Sequence, residues 1–72
     1  MSIEENKKKF FNNVKRFREQ QGKSLEELAE QSGVALEKLE QLERNILPEE
    51  MMTSDAYKLA VAFHCKISEL FQ

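Results

Sequence analysis

The sequence predicts an all-α domain of five short helices, on three observations. Only two glycines and one proline interrupt 72 residues, and the rest is rich in the strong helix formers Leu, Glu, Gln and Lys. Apolar residues recur at three- and four-residue spacing, the period of a helix with one buried face. Ser24-Leu-Glu-Glu27 is a capping-box signature, and two short amphipathic segments follow it on either side of Gly33. A chain of this length holds one hydrophobic core, so residues 1–72 are read as a single domain.

The elements follow in order. Ser2-Ile-Glu-Glu5 is a capping box that opens the first helix near Ile3, and Glu4 with Lys8 and Glu5 with Lys9 are i,i+4 pairs in the favourable order. Ile3, Phe10, Val14 and Phe17 form its apolar stripe, and Gly22 supplies the left-handed cap that ends it. Ser24 caps a second helix beginning at about Leu25, with Leu28 facing the core and Ala29 small enough for a close helix crossing. Gly33 provides the positive φ of a tight turn. A third helix runs from about Leu36 to Arg44, with Val34, Leu39 and Leu42 inward and Asn45 as a left-handed cap. Two short helices joined in this way make a helix-turn-helix over about residues 24–45. A loop with the only proline, Pro48, leads to a fourth helix, capped by Thr53 or Ser54 and striped by Ala56, Leu59, Ala60 and Phe63. A break at residues 64–66 precedes a last short helix, Ile67–Phe71.

Composition narrows the function. No segment is an apolar membrane span, and Phe10-Phe11 is too short for a signal-peptide core. One cysteine cannot form an internal disulfide, which fits a reducing cytoplasm. His64 and Cys65 are neighbours with no further His or Cys, so no zinc site is expected; His64 is read as the end of the fourth helix and Cys65 as a small apolar residue. There is no glycine-rich phosphate loop and no base placed to activate Cys65, so neither a catalytic residue, a cofactor nor a small-molecule ligand is expected. Net charge is −2 but unevenly spread: residues 1–23 hold seven Lys/Arg against three Glu, and residues 24–72 hold four against ten Asp/Glu. The basic run Lys7-Lys8-Lys9 could serve as a basic arm, but reads first as a solvated helix turn paired to Glu4 and Glu5.

The run Val14-Lys-Arg-Phe-Arg-Glu-Gln-Gln-Gly22, then Ser24-Leu-Glu-Glu-Leu-Ala29, Gly33-Val34, Leu39, Leu42-Glu43-Arg44, Leu59-Ala60-Val-Ala-Phe63 and Ile67-Ser-Glu-Leu70 resembles the XRE type of helix-turn-helix protein, the Cro and phage-repressor group. The resemblance covers roughly residues 10–71. It implies a compact five-helix, lambda-repressor-like fold, binding to double-stranded operator DNA as a homodimer, and a role in transcription. It also implies that Arg18 pairs with Glu43 and that the third helix enters the major groove. Departures from the family pattern are equally specific: Leu25 stands where a phosphate-binding Gln is usual, Ala35 and Leu36 open the third helix, and Ile46 and Leu47 follow it in place of basic residues.

On this reading Leu36, Glu37, Lys38, Glu40 and Gln41 face the bases, while Ser24, Lys15, Arg16, Lys23 and Arg44 lie near phosphates. Glutamate can accept from cytosine N4, but two acids beside a dense row of phosphate charge need an offset elsewhere. Their presence also suits the rival reading, a helix-turn-helix that serves a protein partner and not DNA. Ile46, Leu47, Met51 and Met52 place four large apolar side chains in one loop, which either packs beneath the domain or forms a dimer or partner surface.

Overall fold

A computed structural model describes residues 3–49 and 51–72, with side chains from residue 6 onward. The expected cap at Ser2, the inward position of Ile3 and the side-chain pairs of Glu4 and Glu5 lie outside what is described.

Helices α1 (Ile3–Gln20), α2 (Leu25–Ser32), α3 (Leu36–Glu43) and α4 (Thr53–Phe63) are followed by a 3-10 helix, η1 (Ile67–Phe71). The architecture is all-α, but the fifth helix of the sequence reading is a 3-10 turn. Five residues are too few to repay the nucleation of an α-helix, and tighter i,i+3 bonding suits so short a piece. Helix α1 packs on η1, α3 and α4, and α2 packs on α3 and α4. Among the described residues thirteen apolar side chains form the core, including Phe10, Phe11 and Val14 of α1, Leu28 of α2, Leu39 and Leu42 of α3, Leu59 and Phe63 of α4, and Leu70 of η1. Phe17 stacks on Phe63 with ring centroids 5.5 Å apart, and Phe10 on Phe71 at 5.3 Å.

Left-handed residues end every α-helix. After α1, Gly22 has φ 64°, and the Gly22 and Lys23 N–H groups donate to the Glu19 and Arg18 carbonyls. The same two-bond motif recurs with Asn45 (φ 61°) after α3 and His64 (φ 59°) after α4. Between α2 and α3, Gly33 has φ 80° and donates its N–H to the Ala29 carbonyl at 2.9 Å. The capping box of α2 is closed: Glu27 N–H donates to Ser24 Oγ at 3.1 Å, and Ser24 N–H to Glu27 Oε1 at 3.4 Å.

The start of α4 corrects the sequence reading. The N-cap is Met52, not Thr53 or Ser54, and the side chain that serves this end is Asp55, whose Oδ2 accepts the Met52 N–H at 3.0 Å. One further polar side chain holds the fold together. Asn13 lies buried on the apolar face of α1 and donates its amide to the carbonyls of Leu70 at 2.9 Å and Gln72 at 3.1 Å, fastening the C-terminal turn to α1. Among the described residues no buried side-chain polar atom lacks a partner.

Candidate functional site

The site is built on α2, the turn at Gly33 and α3. Apolar Val34, Leu39 and Leu42 are buried and seat α3 against the core, which turns the opposite face of that helix outward. Glu37, Glu40, Gln41 and Arg44 are all exposed and fall at positions i, i+3, i+4 and i+7, so they form one row along the outer face. Neither glutamate makes an ion pair among the described residues. Leu36 is half-buried at the edge of the row. A shallow cleft of about 510 Å³ runs beside it, lined by Ala35, Glu37, Lys38, Gln41, Ile46, Pro48 and Glu49.

The remaining acid of α3 has an internal task. Arg18 Nε donates to Glu43 Oε1 at 2.7 Å, and its Nη1 donates to the Lys23 carbonyl at 3.0 Å. The end of α3 is thereby tied to the end of α1 and to the turn before α2.

Several of the cations expected near phosphate are held within the domain. Lys38 is half-buried and its Nζ lies 3.0 Å from Asp55 Oδ2. Asp55 is itself buried, and the Met52 N–H, followed by the Lys38 ammonium, holds its carboxyl below the ordinary value of 3.8 against the opposing pull of burial. Lys23 Nζ donates to the Ala62 carbonyl at 2.8 Å and lies 5.8 Å from the centre of the Phe63 ring. Gln21 donates to the neighbouring Phe63 carbonyl at 2.8 Å. The turn between α1 and α2 therefore caps the end of α4. Lys15 Nζ donates to Asn45 Oδ1 at 2.6 Å, reaching across to the left-handed residue after α3. Arg16 and Arg44 are exposed, the Arg16 guanidinium lying over the ring of its neighbour Phe17, 5.4 Å from its centre. Ser24 is half-buried and occupied with the cap of α2, next to exposed Glu26 and Glu27.

The loop between α3 and α4 divides its apolar residues. Pro48 is buried and Met51 packs against the core, whereas Ile46, Leu47 and Met52 are 49%, 41% and 66% exposed. Leu47, Met51 and Met52 meet Phe10, Ala56, Ile67 and Phe71 along an apolar groove of about 290 Å³, with Asn6, Lys7 and Thr53 at its rim. Val61, which falls outside the apolar stripe of α4, is exposed. Cys65 is partly buried; burial, helped by the Glu69 carboxylate, pushes its thiol up from the ordinary value of 9.0. No group of three or more His, Cys, Asp or Glu side chains among the described residues is placed to hold a metal ion. No described helix is long and apolar enough to cross a membrane.

The structural roles of Asp55 and Asn13 lie outside the sequence reading. Asp55 had one local signal, its place three residues after the start of α4, where a carboxylate can accept an N-terminal N–H. Asn13 had another, an amide side chain falling on the apolar stripe between Phe10, Val14 and Phe17.

Comparison with curated proteins and with solved structures finds no match. The helix-turn-helix family model matches residues 14–70, from the middle of α1 through η1. That span contains the capped α2, the left-handed turn at Gly33, α3 with its outward polar row, and the pair that Arg18 forms with Glu43. The chain belongs to the XRE/Cro-like helix-turn-helix family, a family of DNA-binding regulatory domains.

Proposed function

We propose that the domain is a sequence-specific DNA-binding transcriptional regulator, working in the cytoplasm as a homodimer and without a catalytic step. The observation that carries this reading is the exposed row Glu37, Glu40, Gln41 and Arg44 on the second helix of the helix-turn-helix. Each residue type in that row has a partner on the edge of a base: Gln for adenine, Arg for guanine, Glu for the cytosine amino group. The half-buried Leu36 adds an apolar edge suited to a thymine methyl. Arg16 and Arg44 would meet phosphates directly, whereas Lys15, Lys23 and Lys38 would have to leave Asn45, Ala62 and Asp55. Ser24 would sit beside the backbone at the start of α2. The exposed side chains of Ile46, Leu47 and Met52 provide an apolar surface for a two-fold contact, with half-sites about 34–36 Å apart.

The test is selection from a randomised duplex pool at low salt, followed by a salt titration of the retained sequences. A two-fold motif is expected. Two or three phosphate contacts per protomer would give a logarithmic salt slope of about −2 to −3 for each half-site. Absence of any retained duplex at low salt overturns the reading.

A second reading is favoured by one observation. Glu26, Glu27, Glu37 and Glu40 are exposed on α2 and α3, and Arg44 is the exposed cation of those two helices and their caps. A face so acidic, beside an exposed apolar loop, suits a protein partner, and the domain would then be an interaction module on a helix-turn-helix frame. This reading expects Glu37→Gln with Glu40→Gln to create DNA affinity that the parent chain lacks.

A further inference from the structure

We infer that the cleft between α1 and the residue after α3 seats a backbone phosphate of the bound DNA, held by Lys7 and Lys8 with the Asn12 amide beside them. The inference rests on the DNA-binding reading above and adds a contact surface outside the helix-turn-helix.

The need for such a surface comes from charge. Exposed Glu26, Glu27, Glu37 and Glu40 repel phosphate from α2 and α3, and Arg44 is the exposed cation of those helices and their caps. Two lysines that could offset them are committed within the domain. Lys38 pairs with the buried carboxylate of Asp55, and moving it to DNA would leave that charge without its partner. Lys23 holds the Ala62 carbonyl at the end of α4. Residues 6–18 of α1, in contrast, contain six Lys or Arg and no acid, so the chain's positive charge is concentrated there.

Shape gives that charge a seat. An open cleft of about 510 Å³ is lined by Lys7, Lys8, Phe11, Asn12 and Asn45. Lys7, Lys8 and Asn12 are exposed, and neither lysine makes an ion pair among the described residues. The pairing of Lys8 with Glu4 that the spacing predicts is of the exposed i,i+4 kind, weak enough to give way to phosphate. Lys15 Nζ donates to Asn45 Oδ1 at 2.6 Å, which anchors a third cation to a residue of the cleft wall. Asn45 directly follows Arg44, the last member of the outward row on α3. The cleft therefore continues from the end of α3 onto α1. With α3 in the major groove, the strand that borders the groove at Arg44 runs on towards Lys7 and Lys8. Ammonium and amide donors suit phosphate oxygens, and contacts of this kind fix the position of a protein on the duplex without reading its bases.

The experiment measures binding to the selected duplex and to random duplex across a salt titration. Four proteins are compared: the parent chain, Lys8→Gln, Lys7→Gln with Lys8→Gln, and Lys58→Gln with Lys66→Gln. The last pair removes the same charge from exposed positions on α4 and just before η1, outside the cleft. Circular dichroism confirms the fold of each variant. Sedimentation confirms its oligomeric state, because Lys7 also borders the apolar groove; Lys8→Gln leaves that border intact and decides the matter if the double variant changes state. One phosphate contact per protomer corresponds to about 0.9 in the logarithmic salt slope of each half-site. The Lys7 and Lys8 double variant should lose about that much, weaken on both duplexes by the same factor and retain the parent motif. Lys8→Gln should lose part of the slope, and the distant pair should keep all of it. An unchanged slope in both cleft variants, or an equal loss in the distant pair, overturns the inference while leaving DNA binding intact. Failure of the parent chain to retain any duplex at low salt overturns the DNA-binding reading itself, and this inference with it.

Discussion

Arg18 and Glu43 join the first and third helices through a 2.7 Å contact between Nε and Oε1, with both side chains about three-quarters buried. The guanidinium does more than complete an ion pair. Its Nη1 also holds the Lys23 carbonyl, so a single side chain fixes α3, the end of α1 and the entry to α2 relative to one another. Loss of Glu43 should leave a largely buried cation without its carboxylate, and loss of Arg18 should leave both a carboxylate and a carbonyl without their donor. Arg18→Ala is therefore expected to destabilise the domain by about 2–3 kcal/mol and Glu43→Ala by about 1–2 kcal/mol. Urea denaturation of both single variants and the double variant measures the coupling; additive effects would mean that the two side chains do not act together.

Asn13 closes the other side of the molecule. Its amide serves the Leu70 and Gln72 carbonyls, the first of them fully buried with its residue. Asn13→Leu preserves size but strands those acceptors, and a cost of about 1–3 kcal/mol is expected in thermal or urea unfolding. A neutral or stabilising effect would show that the C-terminal turn stays in place by apolar packing alone.

The carboxyl of Asp55 is held below its ordinary value of 3.8 by the Met52 N–H and Lys38. A folded-state value lower than the unfolded one means that the unfolded chain binds the proton more readily. The stabilisation is fully present above about pH 4 and disappears as the pH falls through the folded-state value. Asp55→Asn should lower stability at pH 7 by about 1–3 kcal/mol and should flatten the decline below pH 4. Parallel acid limbs in parent and variant would assign that decline to other carboxylates.

His64 adopts φ 59° and is exposed, so its side chain contributes little to set against the strain of a left-handed backbone. His64→Gly removes the Cβ conflict at the end of α4 and is expected to stabilise the domain by about 0.5–1 kcal/mol after the greater chain entropy of glycine is counted. Asn45→Gly should gain less, because it also loses the acceptor of Lys15. A lower melting temperature for His64→Gly would contradict this account.

Local chemistry was readable from the sequence and long-range bonding was not. The Ser24 capping box, the glycine turn at Gly33 and the apolar stripes of α2, α3 and α4 depend on residues a few positions apart, and the structure places them accordingly. The start of α4 misled because Thr53 and Ser54 are favoured caps by residue type, yet the Asp55 carboxylate is the stronger acceptor and takes the Met52 N–H. Charge counting does not show what the cations of the expected phosphate face hold within the domain. Lys23, Lys38 and Lys15 each satisfy an acceptor 17 to 39 positions away, and no local pattern announces such partners. The Arg18 pair was reached only through family resemblance.

Gln21 and Lys23 sit in the turn that leads into the helix-turn-helix, yet they satisfy the last carbonyls of a helix some forty positions further on. The motif and the C-terminal helix therefore share their termini, and neither half of the chain keeps its own backbone satisfied when parted from the other. Fraying, which ordinarily begins at helix ends, is coupled between these two ends. The domain should open as one cooperative unit, with amide hydrogens at the end of α4 exchanging at the same rate as those entering α2. A transplanted helix-turn-helix segment without α4 would leave behind what holds its first turn still.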